Sequence, residues 1–315
     1  MNGIDRKFFA LVQEIKGLSE KEIYHRIRQA FDTVPAATQK SCMDFFNRFP
    51  FWGRLDVERG IYEEIEGKAE ALFHHMDDFL WVYERLADYR SRKTLYGVLN
   101  NWYRYDFVTS ARTKEVLFDD YFDLDLVSCS RREVVVDLGA FVGDTVLSYL
   151  ENYGEDCYKK IYCYEITPES FAALEKNLEK YPNIDCRRKG VADRPGILTL
   201  QGNQAGSSAN TLCQAAEEGG VQVEVTTLDE DIREPITLLK ADIEGFEQRA
   251  ILGAKKHIRE DHPKLLLSVY HNNEDLWKIP QMIHELAPDY RFYLRHKGSP
   301  VYPTEITLFL SLIHI

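Results

Sequence analysis

Carboxylate and histidine side chains follow two apolar segments in the second half of the chain. Asp242 and Glu244 come just after the apolar run 236–239, and His271 follows the apolar segment 264–270. Residues two apart point to one face of an extended chain, so Asp242 and Glu244 are expected to share a face. Carboxylates placed together are costly unless they bind something. These residues are therefore candidates for binding a small molecule or accepting its proton.

Glu247, which follows the two carboxylates, and His271 each have a structural alternative. Glu247 is expected either to join the acidic group or to cap the helix that follows it. A single histidine is more often a hydrogen-bonded structural residue than a catalyst, but His271 is expected to face the same crevice as the two carboxylates. The candidate catalytic residues are therefore Glu244, His271 and Asp242.

A glycine turn between a predicted strand and a predicted helix indicates where a ligand binds. The segment 133–145 begins with a β-branched run, as expected of a strand that is buried on both faces. Gly139 and Gly143 allow a tight turn. Asp144 and Thr145 then open a helix, and the free backbone N–H groups at its start attract a carboxylate or a phosphate.

One side chain in this turn limits which nucleotide-containing cofactor can bind there. A dinucleotide-binding turn needs a second glycine two residues after the first, and Phe141 stands there and would crowd a pyrophosphate. No Gly-Lys-Ser/Thr follows, which excludes a phosphate loop of the Walker type. S-adenosylmethionine has no phosphate and makes fewer demands on the turn. It is the favoured cofactor, and a structural turn in an unrelated α/β protein is the alternative.

Two later strand ends supply candidates for binding the rest of this cofactor. Glu165 stands 22 residues after Gly143, close to the roughly 20-residue offset of an acidic ribose ligand. A solvated loop carboxylate is the alternative. The next predicted strand, 185–193, is expected to place an adenine ring against Ala192, with Asp193 near its edge. An ordinary strand end is the alternative there.

The order of the predicted elements favours an α/β fold with a doubly wound, Rossmann-like sheet. The last two strands, 290–296 and 305–310, flank a Gly-Ser-Pro turn and are expected to form a hairpin that adds a final antiparallel strand. Such an ending fits a methyltransferase better than a dinucleotide-binding domain. The glycine-rich segment 201–220 is expected either to fold over the acceptor or to be a disordered surface loop.

Several motifs together resemble the FkbM family of S-adenosylmethionine-dependent methyltransferases. They are Val136-Asp137-Leu138-Gly139-Ala140 with Gly143-Asp144-Thr145, then Thr227-Leu228-Asp229, the run from Lys240 to Glu247, and Ser268-Val269-Tyr270-His271. The resemblance covers residues 121–310. It implies a class I methyltransferase fold and, usually, methylation of a hydroxyl group on a sugar or a secondary metabolite.

The resemblance also implies roles for individual residues. Asp137, Gly139 and Gly143 line the methionine end of the cofactor, Glu165 takes the ribose, and Asp242 and Glu244 lie near the transferred methyl group. With the residues of the predicted turn and strand ends, the candidate cofactor-binding set is Asp137, Gly139, Ala140, Gly143, Asp144, Thr145, Glu165, Ala192, Asp193 and Asp242.

Three other readings of the site stay open. A metal-assisted methyltransferase would use the same acidic cluster as ligands, although no metal is expected. A nicotinamide oxidoreductase is disfavoured by Phe141 and by the final hairpin. A non-catalytic binding module would keep the fold and bind the cofactor weakly.

The first 120 residues form a different kind of sequence, which reads as helical. One apolar stripe runs from Leu72 to Leu86, and Ser91 is expected to cap the next helix. The domains are therefore predicted as a helical region, 1–120, and a methyltransferase domain, 121–315. The helical region is expected to pack on the catalytic domain, to bind substrate or to form a homodimer.

Composition limits the partners and the compartment. The net charge is −12, and no basic stretch is interleaved with aromatic residues, which argues against nucleic acid and anionic membrane surfaces as partners. No apolar run is long enough to span a bilayer, and no signal-like segment opens the chain. The six cysteines lack Cys-x-x-Cys spacing and are expected to be free thiols in the cytoplasm. The expected partner is a small-molecule acceptor.

Overall fold

The structure is a computed structural model that describes residues 1–118, 121–201, 211–213, 221–302 and 304–312. The chain divides into two compact units. The first contains Met1–Val116, Val269–Gln281 and Phe292–Thr307, and the second contains Leu117–Ser268, Met282–Arg291 and Leu308–Ile315. The sequence predicts one boundary at residue 120, whereas two segments near the C-terminus also belong to the unit that holds the N-terminal helices.

The N-terminal part of the first unit is mainly helical. Its helices are α1 (Gly3–Lys16), α2 (Glu20–Asp32), α3 (Ala36–Arg48), α4 (Glu63–His74), α5 (Met76–Arg85), α6 (Tyr89–Arg104) and α7 (Phe107–Ala111), and a short sheet joins β1 (Leu55–Asp56) to β2 (Ile61–Tyr62). Capping boxes at Asn2 and Ser19 satisfy the free N–H groups at the starts of α1 and α2. The core of this unit includes the fully buried rings of Phe8, Phe31 and Phe79.

Two helix predictions in this unit need correction. The stripe from Leu72 to Leu86 is shared by two helices, because His75 leaves the helical conformation between α4 and α5. Ser91 does not cap α6. The Asp88 carboxylate accepts the Ser91 backbone N–H there, and a carboxylate at a helix start also gains from the helix dipole. The Ser91 hydroxyl is instead bonded to the buried Arg295 guanidinium, at 2.9 Å.

The rest of the chain forms the strands and helices of an α/β fold. The strands are β3 (Val134–Leu138), β4 (Lys160–Tyr164), β5 (Ile184–Arg187), β6 (Gly190–Val191), β7 (Gly196–Gln201), β8 (Thr211–Cys213), β9 (Gln222–Thr226), β10 (Leu238–Ala241), β11 (Lys264–Ser268), β12 (Arg291–His296) and β13 (Ile306–Ser311). The helices are α8 (Asp144–Tyr153), α9 (Pro168–Leu178), α10 (Leu228–Asp231), α11 (Glu247–Gly253), α12 (Lys255–Glu260) and α13 (Asp275–Leu286). Among the described residues, no helix has both the length and the apolar character needed to cross a membrane.

The main sheet has seven strands in the order β12-β13-β11-β10-β3-β4-β5. Strands β11, β10, β3, β4 and β5 pair in parallel, with Asp137 of β3 opposite both Lys240 of β10 and Cys163 of β4. The β-branched run of β3 is buried throughout, as a central parallel strand requires. The predicted doubly wound sheet with a final antiparallel strand is confirmed.

The predicted strand 185–193 is two strands in different sheets. After β5, the Lys189 N–H donates to the Arg187 carbonyl at 2.9 Å and turns the chain. Strand β6 then joins a second sheet, with the order β6-β9-β7-β8. Residues 202–210 and 214–220 lie outside the described part of the chain, so the role predicted for the segment 201–220 stays a prediction.

Because α11 lies in close contact with the chain after β6, a methyl group added at Gly253 is expected to destabilise the fold. A Cβ atom at Gly253 would lie 2.0 Å from the Ala192 carbonyl oxygen. We expect Gly253→Ala to lower the free energy of unfolding by about 1–3 kcal/mol, the usual cost of overpacking. Gly196→Ala is the control, because its nearest neighbour would be 4.0 Å away. Urea titrations with equal midpoints for the two variants would contradict this account.

Candidate functional site

The glycine turn lies between β3 and α8, where the sequence predicts it. Gly139 has a φ of 74°, and a Cβ atom there would lie 1.9 Å from the Asp242 carbonyl oxygen, so the position accepts only glycine. Ala140 is fully buried, and its N–H donates to the Tyr164 carbonyl. Gly143 is the N-cap of α8 and gives the first turn no side-chain hydrogen bond. Asp144 and Thr145 are the first two residues of that helix.

Glu165 lies at the end of β4 and bonds to the glycine turn. Its Oε2 accepts the Phe141 N–H at 2.9 Å, and its Oε1 accepts the Thr167 N–H at 2.7 Å. Burial raises the pKa of Glu165, while the bonds from Thr167 and Phe141 partly oppose that rise. The Phe141 N–H, at the position that a pyrophosphate would approach, is therefore bonded to a carboxylate. This contact agrees with the argument from Phe141 against a dinucleotide.

A buried ion pair joins β10 to the glycine turn. The Lys240 ammonium lies 3.0 Å from Asp137 Oδ1 and donates to the carbonyl oxygens of Gly139, at 2.8 Å, and Leu138, at 3.2 Å. Burial opposes the charge of Lys240, but Asp137 and Asp242 outweigh it and raise the pKa of the ammonium. Apart from this ion pair with Lys240, the oxygens of Asp137 accept no hydrogen bond within the described part of the chain.

Lys240 is not among the site residues predicted from the sequence. Its signal was present, because Lys240 interrupts the apolar strand 238–241 and lysine is almost never fully buried without a partner. Tyr121 was also missed. Its hydroxyl donates to Asp242 Oδ2 at 2.5 Å, and a contact between residues so far apart in sequence leaves no local signal.

The acidic segment after β10 is not extended. Strand β10 ends at Ala241, and Glu244 and Gly245 both have a positive φ, of 54° and 92°. The expectation that Asp242 and Glu244 share a face assumed an extended chain, so that argument is wrong.

Glu247 has a structural role, although a different one from the predicted cap. Its two carboxylate oxygens accept the backbone N–H groups of Ile243, at 2.8 Å, and Gly245, at 3.0 Å. The side chain is almost fully buried. Glu247 therefore holds the turn before α11, which is the turn that contains Glu244.

The remaining predicted residues are His271, Ala192 and Asp193. In the first unit, His271 is buried beside the rings of Tyr270 and Phe51, with centroids 4.2 and 6.1 Å from its own. In the second unit, Ala192 is fully buried, and Asp193 is paired with the Arg249 guanidinium at 2.6 Å. The adenine contact expected at Ala192 and Asp193 stays a prediction.

The strand order and the glycine turn define a fold of the class I methyltransferase type. Residues 137–301 match the family described as the methyltransferase FkbM domain. The match spans more than half of the chain, which therefore belongs to the FkbM methyltransferase family. No curated protein matches the sequence.

A solved structure of an FkbM methyltransferase agrees with this fold. The methyltransferase FkbM from Methylobacillus flagellatus KT is similar, with a TM-score of 0.68 and 22% identity over 87% of this chain and 71% of that chain. Aeropyrum pernix fibrillarin, in complex with S-adenosyl-L-methionine, has a TM-score of 0.38 and 13% identity over 65% of this chain and 74% of its own. The second likeness is too distant to support any argument about this chain.

The buried ion pair predicts a large loss of stability when one partner is removed. Lys240→Met leaves Asp137 charged and buried, so we expect the free energy of unfolding to fall by about 3–5 kcal/mol. Adding Asp137→Asn removes that charge and restores part of the loss. Lys159→Met is the control. Lys159 is largely exposed and pairs with Glu234, so a loss of about 1 kcal/mol or less in the free energy of unfolding is expected. Equal losses in urea titrations of the Lys240 and Lys159 variants would contradict the assignment.

Proposed function

We propose that this protein transfers a methyl group from S-adenosylmethionine to a hydroxyl group of a sugar or a secondary metabolite. One observation carries the cofactor assignment: the buried Glu165 carboxylate is hydrogen-bonded to the glycine turn between β3 and α8. Membership of the FkbM family supports methyl transfer. The hydroxyl acceptor is what the resemblance to the FkbM family implies.

The glycine turn suits the methionine end of this cofactor. The start of α8 has no side-chain cap, so its N–H groups and helix dipole attract a carboxylate. The Asp137 carboxylate is buried and, apart from its ion pair with Lys240, accepts no hydrogen bond from the described residues, which leaves it able to accept one from the cofactor's ammonium group. Asp242 is the second candidate for that ammonium, and the Tyr121 hydroxyl orients its carboxylate.

Glu165 suits the ribose. Its oxygens accept the backbone N–H groups of Phe141 and Thr167, and a carboxylate can accept hydrogen bonds from ribose hydroxyls as well. The two backbone bonds also fix the carboxylate before a ligand binds. Glu165 therefore needs no rearrangement to accept the two ribose hydroxyls.

S-adenosylmethionine supplies a methyl group on a positively charged sulfur. The protein's main contribution is to hold the acceptor oxygen in line with that methyl group, and good orientation is worth up to roughly 7–11 kcal/mol. The acceptor hydroxyl must also lose its proton. We propose Glu244 or His271 as the base, with Asp242 serving the cofactor.

Glu165→Gln tests the cofactor assignment. A hydrogen bond to a charged group is worth about 1.5–3 kcal/mol, so we expect calorimetry to show S-adenosylmethionine affinity reduced by roughly 10–100-fold. Because burial raises the pKa of Glu165 above its ordinary value of 4.5, wild-type affinity is present at neutral pH and declines as the pH falls through that raised pKa. The Gln variant lacks this decline.

Glu169→Gln is the matched control, because Glu169 is exposed in the first turn of α9. It should bind like the wild type. An unchanged affinity in Glu165→Gln would remove Glu165 from the site. A wild-type protein that binds neither S-adenosylmethionine nor S-adenosylhomocysteine would favour the non-catalytic binding module.

Glu244→Gln and His271→Asn test the base. Turnover is followed as transfer of a labelled methyl group to sugars and hydroxylated metabolites, and mass spectrometry locates the methyl on the product. We expect the variant that removes the base to lower kcat by about 10²–10⁴-fold while cofactor affinity is retained. Glu260→Gln, at the end of α12, is the control.

Full turnover in both variants would refute the proposed base. The metal-assisted alternative has its own signature in the same assay. Loss of turnover in chelator and its recovery with magnesium would favour that alternative over direct base catalysis.

A further inference from the structure

Two cysteines face each other across neighbouring strands of the main sheet. Cys163 of β4 and Cys186 of β5 are direct partners in a parallel register, so their side chains leave the same face of the sheet. Neighbouring strands lie about 4.7–4.9 Å apart. Disulfides form at Cα separations of about 4.4–6.8 Å, so this pair lies within the permitted range, near its short end.

The two thiols differ in access and in acidity. Cys163 is fully buried. Cys186 is only partly buried and lines an open cleft of about 580 Å³, together with residues of α9 and the segment that follows it, among them Ala172, Glu175 and Tyr181. Hydrogen bonding between the thiols lowers the pKa of Cys186 and raises that of Cys163. The accessible thiol is therefore the one that ionises more readily.

We propose that Cys163 and Cys186 are a peroxide-sensitive dithiol that closes to a reversible disulfide. The Cys186 thiolate attacks one oxygen of a hydroperoxide and becomes a sulfenic acid, and the other oxygen leaves as water or an alcohol after protonation. The Cys163 sulfur then attacks the Cys186 sulfur. The sulfenic hydroxyl leaves as water with the Cys163 proton, so two thiols are oxidised and one peroxide is reduced.

The positions of the two residues suit these two roles. Cys163 lies beside Asp137 in the sheet, and that carboxylate contributes to its raised pKa, so Cys163 stays a thiol until Cys186 has been oxidised. A disulfide of this kind is reduced again by thiol–disulfide exchange, which makes the modification reversible. The inference rests on the strand register and the cleft, and it does not depend on the proposed methyl transfer.

Peptide mapping after treatment with hydrogen peroxide tests the proposal. Lys176 and Lys180 lie between the two cysteines, so trypsin places them on separate peptides. We expect a cross-linked pair of these peptides, the loss of two free thiols, and recovery of both thiols with dithiothreitol. Dimedone should trap a sulfenic acid at Cys186 in the Cys163→Ser variant, and Cys186→Ser should abolish the cross-link.

Cys157→Ser is the control and should form the same cross-link as the wild type. Two free thiols at positions 163 and 186 after peroxide treatment would overturn the proposal. So would oxidation of Cys186 to a sulfinic acid without a cross-link in the wild type. The wild-type peptide map decides the matter even if a serine variant fails to fold.

Discussion

The buried Lys240 ammonium is the constraint on which the candidate site depends. An ammonium group removed from water must find acceptors, and here they are the Leu138 and Gly139 carbonyls and the Asp137 carboxylate. All three acceptors belong to the end of β3 and the start of the glycine turn. The turn therefore begins where the lysine finds its partners, and β10 and β3 are held at their carboxyl ends.

The same end of the sheet is held a second time by Glu165. Its carboxylate bonds to the Phe141 N–H and so joins the end of β4 to the turn that follows β3. Buried ion pairs and buried carboxylates add little stability compared with well-packed apolar residues. Their value here is geometric, because the carboxyl ends of parallel strands are where α/β sheets bind ligands.

Local patterns predicted much of this arrangement. A sequence contains the types of neighbouring residues and their distances along the chain. These are enough to predict the β-branched strand, the turn at Gly139 and Gly143, and the position of Glu165. The break between β5 and β6 was missed because it depends on which sheet each short strand joins. The extended conformation expected at Asp242 and Glu244 is wrong because Glu244, which is not a glycine, has a positive φ in a turn held by the Glu247 carboxylate.

The charges near the glycine turn distinguish a dinucleotide from a sulfonium cofactor more clearly than the spacing of the glycines does. The charges of Asp137, Asp242 and Asp144 all raise the pKa of the Lys240 ammonium, so three carboxylates act on one cation beside the turn. Glu165 adds a fourth and takes a turn N–H. A pyrophosphate would bring two further negative charges into this acidic region, whereas a sulfonium cofactor with an ammonium group brings positive charge. Phe141 is the residue that departs from the dinucleotide pattern. It therefore lies in a turn whose electrostatics also suit a cationic ligand.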